Sequence, residues 1–336
     1  MRKEKPMPNM ESLLMKALGL LLALAIVLPL SAAVAAADSY PSKPVRLIVP
    51  YAPGGGGDFA ARTIASKLSE PLGQQVVVEN RGGAAGIIGM EMVAKSAPDG
   101  YTLLLHSGAL VTNPLFFKVP YDPEKSFTPI TLVNSGPVML VVNPSVPANS
   151  VKELIALAKK QPGKLVCVAG GSGTTQHLGS ELFKMMAGID FKIVQFKGAG
   201  PAMIDVLGGH SQIMFSTLAV SLSQIKSGKL KVLGFGASVR SVIMPDVPTI
   251  SEAGLPGYDA AIWWGISAPA GTPKAIVDRL HKELAVILKS EDVKKKFESQ
   301  GVEAQLMSPA EYGKFMEAET AKWAKVIKEA NIKILE

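Results

Sequence analysis

Three loops in this sequence join an apolar run to a helical pattern and are built largely from glycine and hydroxyl residues. They are Pro50-Tyr-Ala-Pro-Gly-Gly-Gly-Gly-Asp58, Gly170-Gly-Ser-Gly-Thr-Thr-Gln-His177 and Lys197-Gly-Ala-Gly-Pro201. Glycine lets a backbone amide approach a bound group closely. A helix start adds unpaired N–H groups and the positive end of the dipole, which suits a carboxylate or phosphate. The hydroxyls of Ser172, Thr174 and Thr175 add neutral donors, and Lys197 is the one cation in the three loops. The plain alternative for the first loop is a flexible turn with Asp58 as N-cap of the helix behind it. The sequence leaves both open for the loop and favours capping for Asp58.

Covalent and acid–base chemistry finds no comparable constellation. Gly171-Ser-Gly-Thr-Thr-Gln176 is not G-x-G-x-x-G, no G-x-x-x-x-G-K-[ST] occurs, and Ser172 does not sit in G-x-S-x-G. The four histidines (His106, His177, His210, His281) stand apart, without H-E-x-x-H or C-x-x-C. His177, which opens a loop-borne helix, is expected to cap or pack. No catalytic residue, metal ligand or cofactor is expected. The single cysteine, Cys167, lies in the apolar run Leu165-Val-Cys-Val-Ala169 and reads as a buried thiol; no internal disulfide is possible. Ile262-Trp-Trp-Gly265 either walls a pocket or packs a core, with packing the default for large aromatics.

The elements that must hold these loops alternate. Val45–Pro50, Gln75–Glu79 and Tyr101–His106 read as strands, with helices over 58–70 and 87–97 between them. After the apolar strand Val138–Asn143 the pattern begins again. A helix capped by Ser150, with Glu153 at the capping-box position, is followed by strands at 165–169, 192–196, 212–216 and 231–237, with helices between. Amphipathic helices over 273–289 and 310–330 close the chain. Repeated βα units imply an α/β protein of two lobes, each a mainly parallel sheet flanked by helices. The expected division is 38–140 for lobe 1, 141–259 for lobe 2, and a return to lobe 1 with C-terminal helices over 260–336. The chain then crosses between lobes twice, which makes a hinge. In open α/β sheets ligands sit at the carboxyl ends of strands, so facing lobes would bring the three loops to one cleft.

The chain has 336 residues, 48% hydrophobic and 19% charged, which is a globular composition. Residues 1–37 read as a secretory signal peptide: Arg2, Lys3, Lys5 and Lys16, then the uncharged run 17–30, then small residues ending Ala35-Ala36-Ala37. Removing them leaves a net charge of +5 from the full +7, and no long Lys/Arg block remains, so a nucleic-acid role has no footprint. An exported protein of the periplasm is expected.

Further motifs carry a resemblance: Tyr40-Pro-x-Lys-Pro-Val-Arg46, Glu79-Asn-Arg-Gly-Gly83, Ala97-Pro-Asp-Gly-Tyr-Thr-Leu103, His177-Leu-x-x-Glu-Leu-Phe183, Pro245-Asp-Val-Pro-Thr249, Gly254-Leu-Pro-Gly-Tyr258 and Ala268-Pro-Ala-Gly-Thr-Pro273. With the glycine loops they span nearly the whole mature chain. The sequence resembles the Bug family of periplasmic solute receptors, which serve tripartite tricarboxylate transporters. The resemblance implies a two-lobed Venus-flytrap fold and a small carboxylate ligand held largely by backbone groups and waters. It also implies permease subunits as partners, and a monomer is expected.

Carried over, the ligand-binding residues would be Tyr51, Ala52, Gly55, Gly56, Gly57 and Asp58 in the first loop, and Gly171, Ser172, Gly173, Thr174 and Thr175 in the second. Lys197 and Gly198 come from the third, and Ser107 and Asn113 mark a further wall. Ser216 stands where many similar proteins carry Asp, Gly57 where they carry Thr, and Phe196 where Tyr is common. These departures remove polar groups near the cleft and fit a ligand less polar than an amino acid. Two other classes stand beside this one: an exported α/β enzyme without a familiar motif, and an envelope interaction protein with an obstructed cleft.

Overall fold

Strands β1 (Val45–Val49), β2 (Val76–Asn80) and β3 (Thr102–Ser107) run parallel, β1 lying between the other two. Four of the five residues of β1 and five of the six of β3 are buried, as a strand covered by helices on both faces requires. The computed structural model describes residues 40–332 except 172, 197, 238, 239 and 242, and of Ala219 the backbone alone. The expected leader, residues 1–37, and the candidates Ser172 and Lys197 lie outside the described residues.

A single long strand ties the molecule together. Strand β4 (Phe127–Val142, 16 residues) pairs antiparallel with β9 (Ala261–Pro269) along Phe127–Pro137. Its last five residues, Val138–Val142, instead pair antiparallel with β7 (Ile213–Thr217) and β8 (Lys231–Phe235). β9 also pairs antiparallel with β3, so it fills the centre of the first sheet. In the second sheet β5 (Val166–Ala169) runs parallel to β6 (Lys192–Gln195) and to β7. The two-lobed α/β class expected from the sequence therefore holds. Each sheet has a parallel part of three strands and an antiparallel part supplied by β4, β8 and β9, with short β10 (Glu303–Ala304) at the edge of β4.

The helices cover these sheets through apolar faces at helical spacing. Helix α1 (Gly56–Leu72) buries Ala60, Ala61, Ile64, Leu68 and Leu72 and stops at Gly73, whose φ of 66° glycine adopts without strain. Helices α2 (Ile87–Ala94) and α3 (Ala109–Thr112) follow β2 and β3. Beyond β4 come α4 (Val151–Lys160), α5 (Thr175–Ala187), α6 (Ala199–Leu207) and α7 (Leu218–Lys226). Ser150 caps α4 by accepting from the Glu153 N–H, while the Glu153 carboxylate accepts from Asn149 rather than from Ser150. Helices α8 (Lys274–Lys289) and α9 (Glu291–Glu298) return to the first core with Leu280, Leu284 and Phe297.

The last helix, α10 (Pro309–Glu329), opens with a full capping box between Ser308 and Glu311. Its first half packs Tyr312 and Met316 against Leu104, Leu132 and Trp263. Its second half packs Trp323, Val326 and Ile327 with Leu178, Phe183 and Phe215. The helix thus spans both halves, a third connection beside β4 and the segment that leads into β9. At its middle Glu319, 6% exposed, accepts from the indole N–H groups of Trp263 and Trp323, each at 3.0 Å, and pairs with Lys322. Cys167 is fully buried in the second core, as its apolar run implies. Among the described residues no helix is long and apolar enough to cross a membrane.

Candidate ligand-binding cleft

Parallel strands end on one edge, so the turns after β1 and β3 lie side by side. Tyr51 follows β1 and Ser107 ends β3; the Tyr51 hydroxyl and Ser107 Oγ are 2.7 Å apart. Ser107 Oγ also accepts from the Ala109 N–H, and Asn80 Nδ2 donates to the Tyr51 carbonyl. Asn113, one residue past α3, donates through Nδ2 to the Ala85 carbonyl at 3.0 Å. Ala84 and Ala85 hold φ of 46° and 55°, a left-handed turn that alanine adopts only against a steric cost. Burial pushes the Tyr51 phenol up to about 12, against the pull of its hydrogen bond to Ser107, so it is a neutral donor at physiological pH.

Across from this wall stands the start of α5. Thr174 is its N-cap: the hydroxyl accepts from the His177 N–H and donates to the Gly171 carbonyl. His177 Nδ1 accepts from the Gly173 N–H at 3.1 Å. Burial, with a smaller push from Lys184, brings this histidine down to about 4, so the ring is neutral and its role is to hold the loop. The amides of Thr175 and Gln176, first in a 13-residue helix, have no acceptor within it. They carry the positive end of its dipole.

A cavity of about 240 Å³ lies between these walls. On one side are Tyr51, Ala85, Ser107, Ala109, Thr112 and Asn113. On the other are Gly173, Thr174, Thr175 and Gln176, and Ile262 and Trp264 of β9 form the floor. The expected residues Tyr51, Ser107, Asn113, Gly173, Thr174 and Thr175 are therefore brought together. Ala85 carries no signal in the sequence, and Ile262 is marked there only as part of a cluster open between pocket and packing. Trp264 and Trp263, left open between pocket and packing, divide the two roles: alternation along β9 sends Trp264 to the cleft and Trp263 to Glu319.

The first glycine loop is placed differently from its expected direct approach. Ala52, Gly55, Gly56, Gly57 and Asp58 are not among the cavity-lining residues, and the Trp264 indole lies against Gly56 and Gly57 at the first turn of α1. A Cβ on Gly57 would lie 2.7 Å from Trp264 Cη2, and one on Gly56 would lie 3.6 Å from Cζ2 and Nε1. Asp58 is not the N-cap. The helix begins two residues earlier, Gly55 is the cap, and a glycine tract supplies no capping side chain. Asp58 instead reaches back to the Gly54 N–H at 2.9 Å and pairs with Arg62 Nε at 3.0 Å. The Arg62 hydrogen bond is the main reason its carboxyl lies below the usual range.

Gly171 accepts from Thr174 behind the loop, and the Gly198 N–H donates to the Gly170 carbonyl. Ser216 is buried near the end of β7 with its Oγ 2.6 Å from that of Ser221. None of these three reaches the cavity wall. Among the described residues, the wall carries no aspartate, glutamate, lysine, arginine or histidine, and no group of His, Cys, Asp or Glu could hold a metal ion.

Two lobes with a neutral, amide-rich cleft at their strand ends are the build of a solute receptor. Residues 60–332 match the model of the tripartite tricarboxylate transporter family receptor, TctC. The chain belongs to this family. It is similar to protein BugT of Bordetella pertussis, with 38% identity over 306 residues, 90% of this chain and 94% of that protein. Among solved structures it is similar to Rpa4515 of R. palustris with adipate: 37% identity and a TM-score of 0.76, covering 87% of this chain and 99% of the other. It is also similar to MatC from Rhodopseudomonas palustris with bound malate, with 30% identity and a TM-score of 0.71 over 86% and 100% of the two chains. TctC receptors are periplasmic carboxylate-binding proteins that work with tripartite transporters.

Proposed function

We propose that this receptor captures a small carboxylate-bearing organic acid in the cleft between its lobes and presents it to the permease subunits of a tripartite tricarboxylate-type transporter, or to a sensor. One observation carries the reading. The unpaired amides of Thr175 and Gln176 face neutral hydroxyls and an indole across a cavity of about 240 Å³, a volume below the ~300–1,000 Å³ of sites for larger ligands. Amides at a helix start hold a carboxylate without a counter-charge. Relatives with adipate and malate bound support an acid of that size.

The same wall supports capture without turnover, since its one ionisable side chain among the described residues is Tyr51, pushed up to about 12 and neutral. In this reading residues 1–37 are a leader removed after Ala37, and the mature protein is a periplasmic monomer. The lobes are 38–140 with the return over 260–336, and 141–259, the second half of α10 packing on the latter; the change of partners along β4 between Pro137 and Val138 supports that division. Calorimetry against a panel of mono- and dicarboxylates, with mass spectrometry of the mixture afterwards, tests the proposal. Saturable binding with the acid recovered unchanged is expected. A new product would move the protein to the enzyme class, and no binding across the panel would sink the reading.

A further inference from the structure

We infer that Trp264 is the specificity-determining residue of the cleft, and that its indole selects a carboxylate with an uncharged planar or alkyl body over one that carries hydroxyl or ammonium groups. This rests on the carboxylate-receptor reading above.

The ring is fixed on two sides. Below it, Gly57 leaves room that no side chain could share, a Cβ there lying 2.7 Å from Cη2, while one on Gly56 would only touch the ring at 3.6 Å. Beside it, Tyr51 stands edge-on, with ring centroids 5.3 Å apart at 87°, and Tyr51 is itself held by Ser107. The last two glycines of the tract thus lie against an aromatic ring, Gly57 too closely for any side chain, and the ring takes the place next to the ligand that the backbone of α1 would otherwise have. Ile262, two residues earlier on the same face of β9, extends the apolar floor. An ammonium group would need a carboxylate here, and the nearby acid, Asp58, is already engaged by Arg62 and Gly54. Removing several hydroxyls or an ammonium from water against this floor costs more than an aromatic or methylene body costs. The indole N–H of Trp264 has no acceptor among the described residues, unlike those of Trp263 and Trp323, which both donate to Glu319.

The test is calorimetry with four acids, benzoate, adipate, malate and aspartate, on the wild-type protein, W264A and W264F, each shown to be folded by its melting temperature. The wild type is expected to bind benzoate or adipate at least ~10-fold more tightly than malate or aspartate, ~1.4 kcal/mol. W264A should lose that preference, chiefly through weaker binding of benzoate and adipate, while W264F keeps most of it. Tryptophan emission should change on binding in the wild type and stay constant in W264F, because the other two indoles face Glu319. Wild-type protein that binds all four acids equally, or prefers malate or aspartate, overturns the inference and leaves the receptor reading standing. Equal weakening of all four acids in W264A overturns it too. Binding of none of the four by the wild type defeats this inference through the carboxylate reading on which it rests.

Discussion

Replacing Glu319 with alanine should cost the protein a few kcal/mol, because one carboxylate serves two buried indoles. Trp263 and Trp323, both 2% exposed, each donate to Glu319 Oε2 at 3.0 Å. A buried donor left without an acceptor costs ~1–3 kcal/mol, so two cost ~2–6 kcal/mol. Part is regained, because Lys322, freed of its partner, can lean further toward Asp259, whose carboxyl is raised by burial and by Glu319 itself and lowered by Lys322. A net loss of ~2–4 kcal/mol is expected, which at ~2–4 °C per kcal/mol lowers the melting temperature by roughly 4–16 °C. Glu319→Gln keeps one carbonyl oxygen with two lone pairs and should lose about 1 kcal/mol, the net worth of one hydrogen bond. Urea unfolding of the two variants measures both values. If Glu319→Ala stays within ~0.5 kcal/mol of wild type, the level of an ordinary surface change, the indole clasp does not hold α10 in place. If Glu319→Gln is as damaging as Glu319→Ala, charge rather than hydrogen bonding is what matters there.

Gly57→Ala should destabilise despite alanine's better helix propensity, because overpacking against Trp264 costs ~1–3 kcal/mol against a gain of up to ~1 kcal/mol. The Gly57→Ala/Trp264→Ala double variant should recover most of that loss, and a coupling near zero in a thermal-melt cycle would argue against the contact. Thr175→Val keeps the amide but removes the hydroxyl beside it at the cavity wall; it should weaken acid binding ~10- to 150-fold, as loss of that hydroxyl's hydrogen bond of ~1.5–3 kcal/mol to a charged group implies. Arg62→Ala should change binding less, since its side chain is 57% exposed and turned to Asp58; the reverse ranking by calorimetry would replace the amide cradle with an ion pair. Stability should fall on acidification below pH ~6.5, since burial holds His106 and His177 at about 4 and the unfolded chain takes up their protons first. Asp259, Glu181 and Glu303 are raised by burial and act in the opposite sense. His177→Gln should therefore reduce the pH slope by up to ~1.4 kcal/mol per unit, and equal slopes in the two proteins would refute the assignment.

Much of this was legible in the residues. The largely buried strands β1, β3 and β5 stand out as short apolar runs, and the hydroxyl loop before His177 signals a helix start, which the structure places two residues earlier, at Thr175 with Thr174 as cap. What the sequence hid depends on pairs far apart in the chain. Gly57 reads as flexibility until Trp264, more than two hundred residues later, is seen to occupy the space beside it. Likewise Gly265 is glycine because the Tyr312 side chain packs where its Cβ would stand. β9 and the first half of β4 carry Pro129, Asn134, Gly136 and Gly265, which weaken a strand's local signature, yet tertiary pairing overrides propensity there. Asp58 missed its expected place because a polar residue three positions into a helix can reach back as well as cap.

The order of strands has a consequence for how the molecule is made. β9, at the centre of the first sheet, lies beyond all of the second lobe in the chain, and α10 contributes Trp323, Val326 and Ile327 to the second lobe's core. Neither half can finish its own interior while the chain is still emerging from a ribosome or threading through a pore; each awaits a segment from the far end. Such distant closures slow folding. The polypeptide should therefore stay loose and extensible until close to its last residue, and then complete both halves together.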